Sequence, residues 1–413
     1  MTSKKTILMI IPSLGRGGAE RIFYLMSREL SKNFNVVQCF FNLNDQAYPV
    51  TSKEYYVLNP EPARTVIEKI INLYNRVKKL REIKRKIKPD FSISQMDGAD
   101  YINIFTKVKS EKVISCIQCT LINDVSIKGI PGWIRKHFFI RFFYRWADAI
   151  VTVSDELQME MKQFCKIPAF KVKTIYNFAD IDEVTSSAKD SIDGELADVL
   201  SREFSLVTSG RLEEQKNQRF LLDIFHSFLQ RGNKSKLFIL GDGQLRNELV
   251  KHAMSLNLKV YSAWSNGPTK GDYDVYFMGF QKNPFKYFAK AKWFVFTSRW
   301  EGLPLVLVES MACKTPIVST DCKTGPREIL SKRIEPIKIS EAPLMAEYGI
   351  LMPDVDESAP ADHLTLWVDT LMQLNADLSL REKYVDRQEE RLRLFSLHFA
   401  IDAWKDLFEK LRR

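Results

Sequence analysis

The feature that most constrains the fold is an alternation of short apolar runs with amphipathic helical patterns, which occurs twice along the chain. The first series begins at "TILMIIPSL" (6–14) and ends at "AIVTVS" (149–154). The second begins at "FSLVTSG" (204–210) and ends at "TPIVST" (315–320). Such alternation predicts βαβ units and parallel sheets that bind ligands at the carboxyl ends of their strands. We therefore expect an α/β protein in which two doubly wound, Rossmann-like domains face each other across a cleft.

Length and composition agree with two globular domains. The 413 residues are too many for one ordinary core. An apolar fraction of 45% with 27% charged residues excludes a disordered or membrane-spanning chain. No apolar run approaches the roughly 20 residues that cross a bilayer, and the first residues lack a signal-peptide pattern. The sequence therefore predicts a cytoplasmic protein.

Changes in composition divide the chain into three parts. We predict an N-terminal domain over residues 1–185 and a second domain over 186–385. Helices over 386–413 are predicted to return toward the first domain. The polar stretch 179–199 is predicted to be the linker between the domains.

Positive charge is concentrated in the N-terminal half of a chain whose net charge is +10. The helical segment Arg64–Lys88 carries ten Lys and Arg residues, and Pro131–Trp146 mixes basic with aromatic residues. Three explanations remain open for this charge: a solvated helix face, an anionic lipid surface, or nucleic acid. We favour peripheral contact with an anionic membrane surface.

Two patterns resemble metal sites, but neither predicts one. Cys116 and Cys119 form a C-x-x-C without a second ligand pair, and the six cysteines suggest no disulfide framework. Asp272 and Asp274 form a D-x-D, a carboxylate pair that can bind manganese. They precede their strand in a turn-rich segment, which favours a hydrophilic hairpin tip.

A glycine turn follows the first predicted strand. Gly15, Gly17 and Gly18 open a helix, where free amides and the helix dipole favour a phosphate. The third glycine of a dinucleotide fingerprint is missing, and the second strand ends without a carboxylate for a ribose. Binding of NAD is therefore disfavoured.

The second series places two cations after its first strand. Arg211 and Lys216 follow a strand end and precede a helix. A guanidinium and an ammonium at one sheet edge suit a diphosphate. We predict that both bind a ligand.

Two glutamates flank an apolar helix start in "RWEGLPLVLVES". Glu301 lies in a loop after a buried strand, Pro304 is predicted to occupy the first helical position, and Glu309 follows more than one turn later. The free amides of Leu305 and Val306 point out of the helix N-terminus. Such a loop could offer amides to a nucleotide diphosphate and a carboxylate to ribose hydroxyls.

Two residues at other strand ends are further candidates for ligand contact. Gly241 follows the strand in "KLFILGDG", and a glycine there would let a nucleotide approach the backbone. Phe280 ends "VYFMGF" and is a candidate for contact with the base.

Several motifs together resemble the retaining glycosyltransferases of family 4, which have the two-domain GT-B fold. The motifs are "GGAER", "SGRLEEQKN", "LGDGQLRNEL", "SRWEGLPLVLVESMACKTPIVSTD" and "GPREIL". The resemblance covers most of the chain and is strongest from Ser209 to Leu330.

The resemblance implies a role for each candidate residue. Arg211 and Lys216 would hold the diphosphate of a nucleotide sugar and stabilise the leaving group. Glu301 would contact the transferred sugar, Glu309 would bind the ribose, and the glycine turn would bring the N-terminal domain against the phosphates. Fixed cations and helix dipoles would replace a divalent ion, so no metal or other cofactor is expected.

The sequence departs from the family after the strand in "KVISCIQC". Many relatives have a histidine there, whereas this chain has Gln118. Gln118 could hydrogen-bond a substrate hydroxyl, and Asp97 is a second polar residue at a strand end of the acceptor-side domain.

The resemblance implies transfer of a sugar, with retention, from a nucleotide diphosphate such as UDP. The expected acceptor is a hydroxyl of an oligosaccharide on a polyprenyl diphosphate, used for O antigen or capsule at the inner face of the cytoplasmic membrane. One alternative is a catalytically silent glycan-binding scaffold, since a fold does not fix a function. A nucleic-acid-binding protein would explain the charge but not the glutamate pair, and no nucleic-acid module is present.

Overall fold

The chain forms two compact units in a computed structural model. Unit one comprises Met1–Phe178 and Leu397–Arg413, and unit two comprises Ala179–Ser396. The domain boundaries predicted from the sequence were at residues 185 and 385. The structure describes residues 4–59, 65–120, 140–192, 194–202, 204–265, 271–332, 341–354, 362–377 and 379–412.

Unit one is built on a parallel sheet. Its strands are β1 Thr6–Ile11, β2 Asn35–Phe40, β3 Glu54–Val57, β4 Phe91–Gln95, β5 Lys112–Ile117, β6 Ala149–Thr152 and β7 Val172–Thr174. The seven strands lie in the order β3-β2-β1-β4-β5-β6-β7. The order reverses between β1 and β4, which is where doubly wound sheets bind their ligands.

The helices of unit one connect these strands. Those described before the interunit boundary are α1 Gly18–Leu30, α2 Val66–Ile87, α3 Asp97–Phe105, α4 Ile140–Phe143 and α5 Asp155–Gln163. Thr65 begins α2 with a capping box, in which its side chain accepts from the Glu68 amide and the Glu68 carboxylate accepts from the Thr65 amide.

Unit two is built on a second, mostly parallel sheet. Its strands are β8 Phe204–Ser209, β9 Ser235–Leu240, β10 Val260–Ser262, β11 Val275–Gly279, β12 Trp293–Phe296, β13 Ile317–Thr320, β14 Leu344–Met345 and β15 Ile350–Met352. The order is β10-β11-β9-β8-β12-β13-β15-β14, and β14 pairs antiparallel with β15. The order reverses between β8 and β12.

The helices of unit two include two in the segment predicted to be a linker. These two are α6, Ile181–Ser187, and α7, which begins there and spans Gly194–Arg202. The described helices are α6 Ile181–Ser187, α7 Gly194–Arg202, α8 Gln218–Gln230, α9 Arg246–Ser255, α10 Phe285–Lys290, α11 Leu305–Ala312, α12 Pro326–Leu330, α13 Asp362–Ala376 and α14 Ser379–Leu392. The predicted α/β fold with two Rossmann-like domains is confirmed.

The last helix, α15 (Leu397–Arg412), belongs to unit one. The ring of Phe408 lies 4.7 Å from that of Phe91 in β4 and 5.5 Å from that of Phe34. Trp404 is also buried. Burial of these aromatic rings attaches α15 to the first sheet.

Each sheet is buried by its apolar runs. All residues of Ile7–Ile11 in β1 are fully buried. In unit two, Leu221, Leu222, Phe225 and Phe228 face the core at helical spacing on α8. Apolar burial on both sheet faces is the main favourable contribution to folding.

One lysine of the basic segment is buried instead of solvated. Lys84 Nζ donates hydrogen bonds to Glu111 Oε1 at 2.8 Å and to Asn103 Oδ1 at 2.7 Å. Both charged side chains are fully buried. Burial lowers the pKa of Lys84 to about 8. This ion pair joins α2 to the loop before β5.

No described helix combines the length and the apolar character that a membrane span requires.

Candidate functional site

The carboxyl ends of β8, β9 and β11 meet at three glycines. Gly241 N donates to Gly279 O at 2.8 Å, and Gly210 N donates to Leu240 O at 3.0 Å. Gly241 has φ +138°, and a Cβ built on it would lie 1.9 Å from Gly210 O. Only glycine fits there, because two loop backbones are in direct contact. Packing of the two loops therefore requires glycine at position 241. The predicted contact of Gly241 with a nucleotide stays a prediction.

Lys216 and Glu301 are brought together at this edge of unit two. Lys216 Nζ donates to Glu301 Oε1 at 2.6 Å, and their side chains are only 18% and 9% exposed. The ammonium also lies 5.2 Å from the ring centroid of Phe296. A charged hydrogen bond that is partly desolvated holds both groups in place.

Backbone and amide contacts fix the loop that carries Lys216. Gln215 Nε2 donates to Trp300 O at 2.7 Å, and Arg299 N donates to Gln215 O at 2.9 Å. Thr297 Oγ1 donates to the carbonyls of Lys216 and Asn217 at 3.1 Å. The loop before α8 and the loop after β12 therefore form one rigid surface. Sequence reasoning missed Gln215, which adjoins Lys216, and Thr297, which directly follows the strand before the Glu301 loop.

Arg211 is placed differently from Lys216. Its side chain is 57% exposed, and its guanidinium pairs with Glu213 at 3.2 Å. Its carbonyl accepts from Gln218 Nε2 at 2.9 Å. Within the described residues, the ion pair of Arg211 is with Glu213 and not with either predicted glutamate. The two predicted cations share a loop, but only Lys216 contacts Glu301.

The helix that follows Glu301 has an uncapped N-terminus. α11 begins at Leu305, and Pro304 occupies the N-cap instead of the predicted first helical position. No described side chain caps this end. The amides of Leu305 and Val306 are therefore available to an anion, which the helix dipole also favours.

A second loop holds Glu301 and Pro304 in position. Thr324 Oγ1 donates to the carbonyl of Glu301. Gly325 has φ +96°, and a Cβ there would lie 2.5 Å from Pro304 Cδ and 2.9 Å from Gly302 O. Sequence reasoning did not identify Thr324 or Gly325 as site residues, although the Gly-Pro dipeptide in "TGPREIL" signals a special turn.

Glu309 is the fifth residue of α11 and is only 8% exposed. Burial raises the pKa of the Cys313 thiol above its ordinary value, and the Glu309 carboxylate contributes to this shift. Phe280 follows Gly279 at the end of β11, and its ring is half exposed. Both predicted ligand contacts stay predictions.

An acidic side chain, that of Glu20, lies beside the glycine turn of unit one. Gly17 is the N-cap of α1, and a Cβ built on it would lie 2.1 Å from Glu20 Oε2. Around Gly18, by contrast, no atom of the described residues lies within 4 Å of a built Cβ. The Glu20 carboxylate lies near the positive end of the helix dipole, where a phosphate was predicted to bind.

Gln118 lies at the carboxyl end of β5 and accepts from Asn177 Nδ2 at 2.9 Å. It lines a small cavity together with Gln95, at the end of β4. Gln95 Oε1 is buried without a hydrogen-bond partner among the described residues. Asp97 begins α3, but its side chain lies outside the described part of the structure.

The D-x-D pair is held by lysines. Asp272 Oδ1 accepts from Lys236 Nζ at 2.5 Å, and Asp274 Oδ2 accepts from the Lys259 amide at 2.8 Å. The hydrogen bond from Lys236 lowers the pKa of Asp272. Among the described residues, no three metal-ligating side chains form a cluster.

Two family models match the chain, one in each half. A model described as "Glycosyltransferase Family 4" matches residues 16–183, and one described as "Glycosyl transferases group 1" matches residues 203–365. The chain belongs to glycosyltransferase family 4. It is therefore a transferase that acts on sugars, as the motifs predicted.

Relatives in sequence extend over nearly the whole chain. An uncharacterized glycosyltransferase of Methanocaldococcus jannaschii is 29% identical over 373 residues, covering 86% of this chain and 88% of its own. The N-acetylgalactosamine-N,N'-diacetylbacillosaminyl-diphospho-undecaprenol 4-alpha-N-acetylgalactosaminyltransferase of Campylobacter jejuni is 27% identical. That match covers 97% of this chain and 98% of the relative.

Solved structures share the fold of this family 4 chain. Anabaena HepE in complex with UDP and glucose superposes with a TM-score of 0.71 at 15% identity, covering 98% of this chain and all of its own. A glycosyltransferase from Rickettsia africae superposes with a TM-score of 0.70 at 15% identity over 99% of both chains. The likeness confirms the GT-B fold.

Proposed function

We propose that this glycosyltransferase moves a sugar from a UDP-sugar to a hydroxyl of a polyprenyl-diphosphate-linked oligosaccharide, with retention of configuration. The observation that carries the proposal is the Lys216–Glu301 pair at the carboxyl edge of the unit-two sheet. It supplies a fixed cation and a fixed carboxylate beside the uncapped start of α11. These are the groups that a diphosphate and a sugar require.

On this proposal, the donor diphosphate binds between Lys216 and the amides of Leu305 and Val306. Negative charge grows on the departing diphosphate as the bond to the sugar breaks. The Lys216 ammonium and the α11 amides are already in position to stabilise that charge, so the site need not rearrange during the reaction. Their effect is larger where the bound donor excludes water. The Arg211 side chain is exposed, and within the described residues its ion pair is with Glu213, so its guanidinium can turn to the phosphates when the donor arrives.

The two glutamates would bind the sugars at either end of the diphosphate. Glu301 accepts from hydroxyls of the transferred sugar, and Glu309 accepts from ribose hydroxyls. Because Lys216 donates to only one oxygen of Glu301, the carboxylate keeps capacity for further donors. The hydroxyl of the acceptor attacks from the side of the leaving phosphate, whose oxygen takes its proton.

The names of relatives in sequence support the proposed acceptor. Two Campylobacter jejuni relatives, 27% and 26% identical, are named for undecaprenol-linked acceptors, and another relative is named for amylovoran biosynthesis in Erwinia amylovora. We infer that this chain also builds a bacterial surface polysaccharide, at the cytoplasmic face of the membrane. Gln118 and Asp97 are our candidates for contact with the acceptor.

Nucleotide binding and release test this function. UDP-sugars and GDP-sugars would be compared for the rise in melting temperature that each causes and for the nucleotide that each releases, since a ligand of the folded state must stabilise it. We expect UDP-sugars to raise the melting temperature of the wild type and to release UDP. We expect Lys216→Ala to abolish both effects. Arg219→Ala, which removes an exposed cation paired with Glu248 in the same unit, is the control. A wild-type protein that binds no nucleotide would overturn the proposal.

A further inference from the structure

An ion pair closes the loop between β13 and α12. Asp321 directly follows β13, and Arg327 is the second residue of α12. The Nε atom of Arg327 donates to Asp321 Oδ1 at 3.1 Å, and its Nη2 atom donates to Asp321 Oδ2. The side chains of Asp321 and Arg327 are only 2% and 14% exposed. A two-point bond of this kind, which we call the fork, fixes both the distance and the orientation of its partners.

The backbone of this loop is strained at Thr324. Asp321 and Arg327 each lie three positions from Thr324, which has φ +66°. A β-branched residue is unfavourable in this left-handed region because its side chain crowds the backbone. Such a conformation persists only where the surrounding structure imposes it, and functional sites are where it is concentrated. The fork supplies that constraint.

The strained residue contacts the loop that carries Glu301. The hydroxyl of Thr324 donates to the carbonyl of Glu301, and Thr324 is only 4% exposed. The next residue, Gly325, packs directly on the same loop. A Cβ built on Gly325 would lie 2.9 Å from Gly302 O and 3.0 Å from Leu303 Cα. The loop closed by the fork therefore supports the backbone on which Glu301 stands.

Helix α12 is fixed in unit two by a second arginine. Arg391 of α14 donates from Nε to Ile329 O at 3.2 Å and from Nη2 to Glu328 O. Its guanidinium lies 5.5 Å from the ring centroids of both Tyr348 and Phe395. These bonds satisfy carbonyls at the end of α12. The fork thus extends from a helix that is anchored at its other end.

We propose that Asp321 and Arg327 are positioning residues of the transferase, which act on Glu301 through Thr324. The fork holds Thr324 in its strained conformation, and the Thr324 hydroxyl sets the position of the Glu301 backbone. The Glu301 carboxylate is thereby placed where the transferred sugar binds. This inference rests on the proposed function, because it assumes that Glu301 contacts that sugar.

Lys216 is positioned by different contacts. Its loop is held by Gln215 and Thr297, which lie outside the fork and the loop that the fork closes. Loss of the fork should therefore displace Glu301 more than Lys216. UDP alone carries no transferred sugar, so its binding should be nearly unchanged while kcat falls. A merely structural role would not produce this division between binding and rate.

Thr324→Val and Thr324→Ser form a matched pair. Valine keeps the shape and the β-branch of threonine but lacks the hydroxyl, whereas serine keeps the hydroxyl. We expect Thr324→Val to lower kcat about tenfold or more, since a small misplacement of a group at the reacting centre is costly. Thr324→Ser should retain most of the activity. The assay is release of UDP from the UDP-sugar that the wild type uses fastest, and the rise in melting temperature with UDP shows that each variant is folded.

A double variant tests the fork itself. Arg327→Met alone would leave the buried Asp321 carboxylate without its cation, which destabilises the fold. Arg327→Met with Asp321→Asn removes both charges together. We expect this variant to bind UDP and to lose as much kcat as Thr324→Val. The control is Arg231→Met with Asp369→Asn, which removes an exposed ion pair of the same unit and should keep the wild-type kcat. A folded fork variant with wild-type kcat would overturn the proposal.

A double-mutant cycle tests whether Thr324 acts through Glu301. Glu301→Gln removes the carboxylate that is to be positioned but keeps the backbone carbonyl. Thr324→Val should therefore lower kcat much less in the Glu301→Gln background than in the wild type. Equal losses in the two backgrounds would show that Thr324 acts independently of Glu301 and would overturn the proposal.

The wild type separates this inference from the proposed function. A wild-type protein that releases UDP, together with a Thr324→Val variant of equal kcat, contradicts the positioning role alone. A wild-type protein that releases no UDP from any UDP-sugar contradicts the proposed function, and the positioning role with it.

Discussion

Glu301 Oε1 accepts a hydrogen bond from Lys216 Nζ at 2.6 Å, although 85 positions separate the two residues in sequence. The loops after β8 and β12 meet because these strands are neighbours in the sheet. A cation and a carboxylate from separate segments thus form one preorganised pair.

Glu301→Gln should lower kcat about a hundredfold, comparable to removal of one preorganised donor from an active site. The amide oxygen can still accept from Lys216, so the fold should be kept and only the charge is lost. Kinetics with a UDP-sugar and a melting curve would measure both effects. The control is Glu248→Gln, an exposed partner of Arg219 in the same unit. Equal activity of the two variants would rule out a catalytic role for Glu301.

Removal of divalent ions should leave the activity unchanged. On our proposal, Lys216 and the α11 amides stabilise the leaving diphosphate, and the D-x-D pair is engaged by Lys236 and Lys259. Transfer rates would be measured after dialysis against EDTA and again after adding Mn²⁺. Activity that disappears with EDTA and returns with Mn²⁺ would show that a metal takes part.

Gly241→Ala should lower the free energy of unfolding by about 2–4 kcal/mol, within the range of strained backbone substitutions. The new Cβ would meet Gly210 O at 1.9 Å, and φ is +138°. Urea unfolding of the variant would measure the loss. Gly194→Ala is the control, because no described atom lies within 4 Å of a Cβ built there and its φ is not in the left-handed region. Equal stability of the two variants would contradict the prediction.

Lys84→Met should cost about 3–5 kcal/mol of the free energy of unfolding, because it leaves the Glu111 carboxylate buried without its cation. Lys84→Met with Glu111→Gln should recover much of that loss, since no charge then remains buried. Glu111 Oε1 also accepts from the Val108 amide at 2.9 Å, and glutamine can keep this bond. A double variant as unstable as the single one would count against the ion pair as the cause.

The same pair predicts a pH dependence of stability. Burial lowers the pKa of Lys84 from 10.5 to about 8, so between these values the unfolded chain holds a proton that the folded chain has released. The contribution of Lys84 to the free energy of unfolding therefore rises with pH through this window and is constant below it. We would measure wild type against the double variant by urea unfolding. A difference that stays constant from about pH 8 to 10.5 would contradict the shifted pKa.

Local pattern was sufficient for the central strands of both sheets and for the main pair of the site. β-Branched runs predicted the central strands because both faces of a parallel sheet are buried. Lys216 and Glu301 could be placed at one edge because both follow strand ends in the same series. The sheet topology brings the two side chains together, and their opposite charges favour the hydrogen bond between them.

Features that depend on distant partners could not be predicted. The burial of Lys84 depends on Glu111, 27 positions away, and nothing in a basic helix distinguishes that lysine from its neighbours. Arg211 and Lys216 looked equivalent in sequence, but the turn aims only one of them at Glu301. Gly325 is required by Pro304, which lies in another loop. In each case the partner is supplied by tertiary packing.

The position of α15 has a consequence for the order in which the protein is made. Phe408 packs against Phe91, yet it is translated only after the whole of unit two. Until the whole second unit has been translated, the first sheet therefore lacks that aromatic contact. Unit two is continuous in sequence and can finish folding first, so a chain truncated before α15 should carry a completed second unit and a first sheet that lacks this contact.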